Sequence, residues 1–141
     1  MESIIKDAMS LALLTANLIT KQQHAFISKH STTSNLLECT SDWSLTLNHK
    51  TQVDVIYIDF ARAFDSVVHA KLLYKLCNLG VPSKLIAWIE FFITSHSKVV
   101  AIANNISSTT VVLRGVPHGS VPGPLLFILY VNDIESIIVK P

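Results

Sequence analysis

Asp59 ends the run VDVIYIDFARAFD at 53 to 65, in which strand-type apolar residues give way to a carboxylate and then to a short turn of small residues. At the two-residue period of a strand, Val53, Val55, Tyr57 and Asp59 share one face and Ile56, Ile58 and Phe60 the other. This places the carboxylate where a buried strand opens into a cleft. A carboxylate in that position is costly without a partner, and the chemistry it suits is cation binding. The simpler alternative is a strand-end carboxylate that caps the following turn. A hydrolase using Asp59 as its nucleophile needs a second aspartate two residues on, and position 61 is Ala.

The elements around this run follow from period and punctuation. Ile4, Ile5, Ala8, Leu11 and Ala12 recur at helical spacing, predicting an opening helix that gives way between Thr15 and Thr20. Lys21 to Lys29 reads as an extended or looped segment. Ser31, Thr32 and Thr33 offer N-cap hydroxyls to a second helix ending near Asn48, with Leu36, Thr40, Trp43 and Leu47 on one stripe and Leu37 beside it. After the strand, Leu72, Leu73, Leu76 and Leu79 form the apolar face of a helix that carries Lys71, Lys75 and Asn78 outside and stops at Gly80. Pro82 starts another helix, with Leu85, Trp88, Ile89 and Phe92 inward. The β-rich runs 98–103 and 109–113, joined by Asn104 to Ser108, predict a hairpin. A turn cluster from Gly115 to Pro124 leads to an apolar helix over Leu125 to Ile138. Strands and helices without regular alternation make the expected class α+β.

Composition narrows the function. The 141 residues are 50% apolar and 15% charged, enough for one real core. A mean hydropathy of +0.44 is high for a small domain, as though some apolar faces expect neighbours from elsewhere, so a fragment is the expected reading. The net charge of +1 leaves no basic block to mark a nucleic-acid partner. Cys39 and Cys77, far apart and without a second pair, support neither a zinc site nor a disulfide framework, and are expected as buried thiols. His24, His49 and His96 are scattered without ligand spacing and are expected at the surface or in loops. Glu2 and Asp7 spoil a leader, and the run 125–131 is far short of the roughly 20 residues of a membrane span. The expectation is an intracellular protein with no membrane anchor.

Three blocks together, QQHAFISKHSTTSNLL at 22–37, VDVIYIDFARAFDSVVHAKLLYKL at 53–76 and GVPHGSVPGPLLFILYVNDI at 115–134, resemble the reverse transcriptase domain of non-LTR (LINE-type) retrotransposons, in that family's order. The resemblance implies a partial right-hand polymerase: residues 1–50 fingers-like, and residues 51–141 palm-like with a small antiparallel sheet packed on helices. It implies RNA-directed DNA synthesis from an RNA template, a DNA primer and deoxynucleoside triphosphates, by nucleotidyl transfer with two Mg2+ ions. Asp59 then matches the first catalytic aspartate and metal ligand, and the Phe60 carbonyl adds an oxygen. Ala61, Arg62, Ala63 and Phe64 match the turn that meets the triphosphate, Phe64 lying beneath the sugar as a steric gate, although a plain core aromatic is the alternative. Lys29 is the one fixed cation of the fingers block, where basic groups face the triphosphate. His118 and Gly119 match the second palm motif, where the family has Gln rather than His, so the paired donor and acceptor of an amide are lost. Asp65 is expected as a local cap and His69 to pack or cap.

The family's third motif, with two more aspartates, and its thumb are not found in these 141 residues, and Asp54, Asp65 and Asp133 do not replace those ligands by spacing. The chain alone is therefore expected to be inactive as a polymerase. The alternative function is a non-catalytic retroelement remnant that binds nucleic acid or protein.

Overall fold

The computed structural model describes residues 2–134, in two compact units: Met1–Met9 with Arg62–Pro141, and Ser10–Ala61. Helix α1 (Glu2–Thr15) contributes its first turns to the former and its last to the latter. Its buried side chains are Met9 and Leu13, four residues apart, while Ile4 and Leu11 are exposed. The inward stripe is thus rotated from the expected one, because Met9 and Leu13 complete the i, i+4 pair that the Ile4 and Leu11 pattern leaves out.

In the unit Ser10–Ala61, helix α2 (Thr32–Asn48) starts where its caps dictate. The Ser31 hydroxyl accepts from the Ser34 N–H at 3.1 Å, and the Ser34 hydroxyl accepts from the Ser31 N–H at 2.9 Å, a reciprocal box that satisfies two otherwise orphaned donors. Local bonding, rather than burial, defines this helix: none of its residues is buried, and Leu36, Leu37, Leu45 and Leu47 face solvent. Trp43, expected in the core, is half-buried. The strand expected at 53–60 is not formed. Those residues are irregular and, apart from Val53, exposed, Ile56 and Tyr57 each at 85%. Apolar alternation specifies a strand only when a neighbour supplies the ladder, and no described residue pairs with this segment.

The other unit holds the core. Helices α3 (His69–Asn78), α4 (Ser83–Thr94) and α5 (Gly123–Val131) bury Leu72, Leu76, Ile89, Ile93, Leu126 and Leu129, with α3 packed on both of the others. Phe92 is buried as expected, and Trp88, half-buried, stacks on it at 5.3 Å between centroids. Gly80, at φ +75, ends α3 with the Val81 N–H reaching the Leu76 carbonyl at 3.1 Å, a left-handed stop that suits glycine. Lys75, assigned to the outer face, is instead half-buried; its ammonium donates to the Tyr130 carbonyl and to Asp133 at the C-terminal end of α5. Helix α5 is apolar on all sides, and each fully buried leucine there contributes about 1.5–3 kcal/mol. The helix expected over Leu125 to Ile138 ends instead at Val131, with Asn132 and Asp133 forming a turn, and residues 135–138 lie outside the described residues.

The hairpin is present with its tip earlier than expected. β1 (Ser97–Lys98) pairs antiparallel with β4 (Thr110–Val111), and β2 (Ala101–Ile102) with β3 (Asn105–Ile106), so the two-residue loop is Ala103–Asn104 rather than 104–108. Ala103 takes φ +51 to make that turn. All four strands are exposed, so the ladders stand free of the helices instead of packing on them. The class remains α+β. Among the described residues no helix is long and apolar enough to cross a membrane.

Candidate functional site

The residues singled out by motif fall in both units. In Ser10–Ala61, Asp59, Phe60 and Ala61 lie at the end of the irregular segment and are exposed, as is Lys29. Asp59 forms no hydrogen bond or ion pair with any described residue, so the expected strand-to-cleft setting is not formed around it. Lys29 adopts φ +67 in a turn closed by the His30 N–H to the Ile27 carbonyl at 3.2 Å. The same unit buries His24, which lies in a loop, one of the two settings expected for it, but not at the surface. Its Nδ1 lies 2.9 Å from the Ser34 hydroxyl and its Nε2 2.9 Å from Glu38, with the His30 ring edge-on at 4.8 Å. Because the Ser34 hydroxyl donates to the Ser31 carbonyl at 2.8 Å, both His24 nitrogens face oxygen acceptors, and the imidazole ties the loop to the first turns of α2.

In the helical unit, residues about 50 positions apart are brought together by Gly115. Its N–H donates to the Val67 carbonyl at 2.8 Å, and the Val116 N–H donates to the Phe64 carbonyl at 3.0 Å. The buried His69 completes the clamp, its Nε2–H donating to the Gly115 carbonyl at 2.8 Å, which also fixes its tautomer. Only glycine suits position 115: φ is +95, and a Cβ would lie 3.0 Å from both Asp65 Cα and the Phe64 carbonyl oxygen. The clamp sets the Phe64–Ser66 turn against the Gly115–Gly119 turn. The Phe64 ring meets His118 edge-on at 5.6 Å and Phe127 of α5 at 5.0 Å. Arg62, at φ +52, opens the turn, and its carbonyl accepts from the Ser66 N–H at 2.9 Å. Gly119, at φ +77, has open space where a Cβ would be.

Asp65, expected as a cap, works instead as an ion-pair partner. His118 Nε2 at 3.3 Å and Lys98 Nζ at 3.5 Å both approach its Oδ1. Desolvation pushes this carboxyl up, but the His118 hydrogen bond and the Lys98 charge outweigh it and hold the group below its ordinary value. Asp133 is also held low, first by the Lys75 hydrogen bond, against the opposing push of burial. A carboxyl depressed in the folded state stabilises the fold above its unfolded pKa, and that contribution is lost as pH falls through the folded pKa. Acid titration of the wild type followed by circular dichroism should therefore lose stability below about pH 4, the ordinary Asp range. Asp133→Asn should flatten that acid limb by slightly lowering stability at neutral and alkaline pH, where the ion pair contributes, while leaving it unchanged at low pH, where Asp133 is protonated. The change should be small, since Asp133 is 56% exposed and solvent screens the pair.

Lys98, Arg114 and His96 carried no functional assignment from sequence. The register would have found them: Lys98 opposite Thr110, with the Val112 N–H on the His96 carbonyl at 3.2 Å, brings both ends of the hairpin to the Gly115 turn. The thiols of Cys39 and Cys77 are free, but half-buried and exposed rather than buried.

An α+β chain in which a glycine-clamped turn presents an aromatic ring and a histidine to each other defines a class of fold and site, and comparison with known proteins supplies the family. Residues 1–140 match the model of the reverse transcriptase (RNA-dependent DNA polymerase) family, and the chain belongs to that family. It is 26% identical over 133 residues to the "Probable RNA-directed DNA polymerase from transposon BS" of Drosophila melanogaster, covering 94% of this chain and 15% of that protein. It is 28% identical over 136 residues to the "RNA-directed DNA polymerase from mobile element jockey" of the same fly, and 29% identical over 136 residues to its counterpart in Drosophila funebris, in both cases covering 96% of this chain and 15% of the relative. The resemblance to non-LTR retrotransposon polymerases is thus borne out, and the chain spans about 15% of the length of these relatives.

Reverse transcriptases generally use divalent metal ions. Among the described residues no three His, Cys, Asp or Glu side chains gather to hold one, and Asp59 is exposed, so these residues alone do not make a magnesium site.

Proposed function

We propose that the chain is a fingers-and-palm segment of an RNA-directed DNA polymerase, residues 1–50 serving the fingers and 51–141 the palm, in a protein that copies an RNA template onto a DNA primer from deoxynucleoside triphosphates. The observation that carries this reading is the Gly115 clamp. It joins the blocks 53–76 and 115–134 and brings Phe64 against His118, which supports reading them as two palm motifs with Phe64 as the sugar gate. Asp59 contributes one carboxylate and Phe60 a carbonyl oxygen toward a magnesium site that needs further oxygens to close. The backbone from Ala61 to Phe64, with Arg62 at its bend, meets the triphosphate; Lys29 adds a cation, and His118 and Gly119 line the nucleotide. Asp59 and the Phe60 carbonyl would hold magnesium only together with further oxygen ligands, and the ion so bound would supply charge stabilisation for phosphoryl transfer.

The test is a chimera in which residues 1–140 replace the matching stretch of the jockey polymerase. Magnesium-dependent primer extension on RNA is expected at a reduced level, and Asp59→Asn should lower it about 1,000-fold, the several kcal/mol a metal ligand supplies. His118→Gln should lower the KM for nucleotide by restoring the paired amide. A folded chimera that makes no DNA even with Gln at 118 overturns the reading. The 141-residue chain alone is expected to extend no primer.

A further inference from the structure

Two segments carry strand-type sequence that the fold leaves open. Residues 53–60 are irregular, the backbone of 53–59 makes no hydrogen bond with any described residue, and Val55, Ile56, Tyr57 and Ile58 face solvent. The hairpin is a two-stranded ladder whose residues are exposed, so its outer edges offer unpaired N–H and C=O groups. A lone two-stranded hairpin is marginal in water, and a third strand strengthens it. A strand without a ladder and a ladder without a third strand supply what each other lacks, and within the chain they are not paired.

Charge decides what pairs with what. Residues 51–61 carry Asp54 and Asp59 and no cation, whereas residues 97–114 carry Lys98 and Arg114 and no anion. Lys98 is engaged by Asp65 at 3.5 Å, but Arg114 is exposed and meets no ionic partner among the described residues. Two 53–60 segments side by side would set acids against acids, and two hairpins would set cations against cations. Only segment against hairpin brings opposite signs together.

We propose that the chain self-associates by strand addition, residues 53–60 of one copy lying along the outer edge of the hairpin of a second copy as its third strand. Main-chain hydrogen bonds supply the affinity, and the attraction of Asp54 and Asp59 for Arg114 selects the hairpin over another 53–60 segment. The contact is heterologous: a copy that has given its segment still offers its hairpin. This pairing is independent of the polymerase reading, which assigns neither segment a second copy.

The experiment is sedimentation velocity of the full 141-residue chain across a concentration series. The average mass should rise with concentration, and added salt should reduce the rise by screening the charges. Ile56→Pro combined with Tyr57→Pro removes a ladder donor from each edge of the segment, because neighbouring N–H groups point to opposite sides, and should weaken association at least about tenfold. Both positions are exposed and irregular, so the fold should survive, which a melting curve verifies. Arg114→Glu should weaken association roughly fivefold, and Lys84→Glu, the same charge change on an exposed position of α4, should leave it unchanged. Labelled double-proline chain, whose hairpin is intact, should be captured by the Arg114→Glu chain, whose segment is intact, with the affinity of the wild type. A mass independent of concentration, which is also the result of pairing within one copy, overturns the proposal. So does association unaffected by the two prolines, or an equal loss with Lys84→Glu. Failure of the two variants to capture each other overturns the assignment of segment to hairpin.

Discussion

Gly115→Ala should destabilise the helical unit by about 3 kcal/mol or more, the sum of a left-handed backbone penalty of about 1–2 kcal/mol and an overpacking cost of about 1–3 kcal/mol. Both terms have a visible origin. The φ of +95 disfavours any Cβ, and the added carbon would meet backbone atoms of Phe64 and Asp65 at 3.0 Å, which cannot swing aside as a side-chain tip would. At roughly 3–4 °C per kcal/mol for a chain of this size, the melting temperature should fall by about 10 °C. Gly80→Ala is the matched comparison: φ is +75 there, but nothing lies within 4 Å of the new carbon, so only the backbone penalty applies. Equal melting shifts in the two variants would remove the clamp from its place at the centre of the site.

Leu126→Ala should cost about 2–5 kcal/mol, the range for emptying a fully buried leucine site. Leu126 has no solvent exposure and lies on α5, the helix whose other buried residues are Gly123, Leu125, Ile128 and Leu129. Denaturant titration should show a lower midpoint. Leu113→Ala, at a position 80% exposed in the hairpin arm, should change stability by no more than about 0.5 kcal/mol. A small loss at Leu126 would mean that the three helices do not close over this side chain.

The helical unit was legible in the sequence because its signals are local and agree with one another. Gly80 and Pro82 mark a stop and a start, and the leucines of 72 to 79 keep one face. Strand structure was not legible to the same degree. The run 53–60 carries a strong strand pattern, yet a ladder is a contract between two segments, and no described residue takes the other side. The hairpin tip moved because Asn104 to Ser108 is rich in turn-type residues, while the cross-strand register placed the bend at Ala103, a residue with no turn preference. The site divided in the same way. Motif spacing pointed to Phe64 and His118, which meet in the fold. Asp65 lies 33 positions before Lys98 and 49 before Arg114; the hairpin register brings those two together, and the Gly115 hydrogen bonds bring that end of the hairpin to the Asp65 turn. His24 escaped notice because one histidine in a polar loop gives no hint that Ser34 and Glu38, a turn apart on a helix, will face its two nitrogens.

Helix α5 has no polar side by which to orient itself, so packing alone leaves its azimuth loosely set. The Lys75 ammonium, seated on the Tyr130 carbonyl and on Asp133, acts as a pawl against rolling. A slip of one residue would turn the helix by about 100° and carry the Phe127 ring out from beneath Phe64. One lysine on a neighbouring helix therefore governs how firmly the aromatic floor of the site is seated.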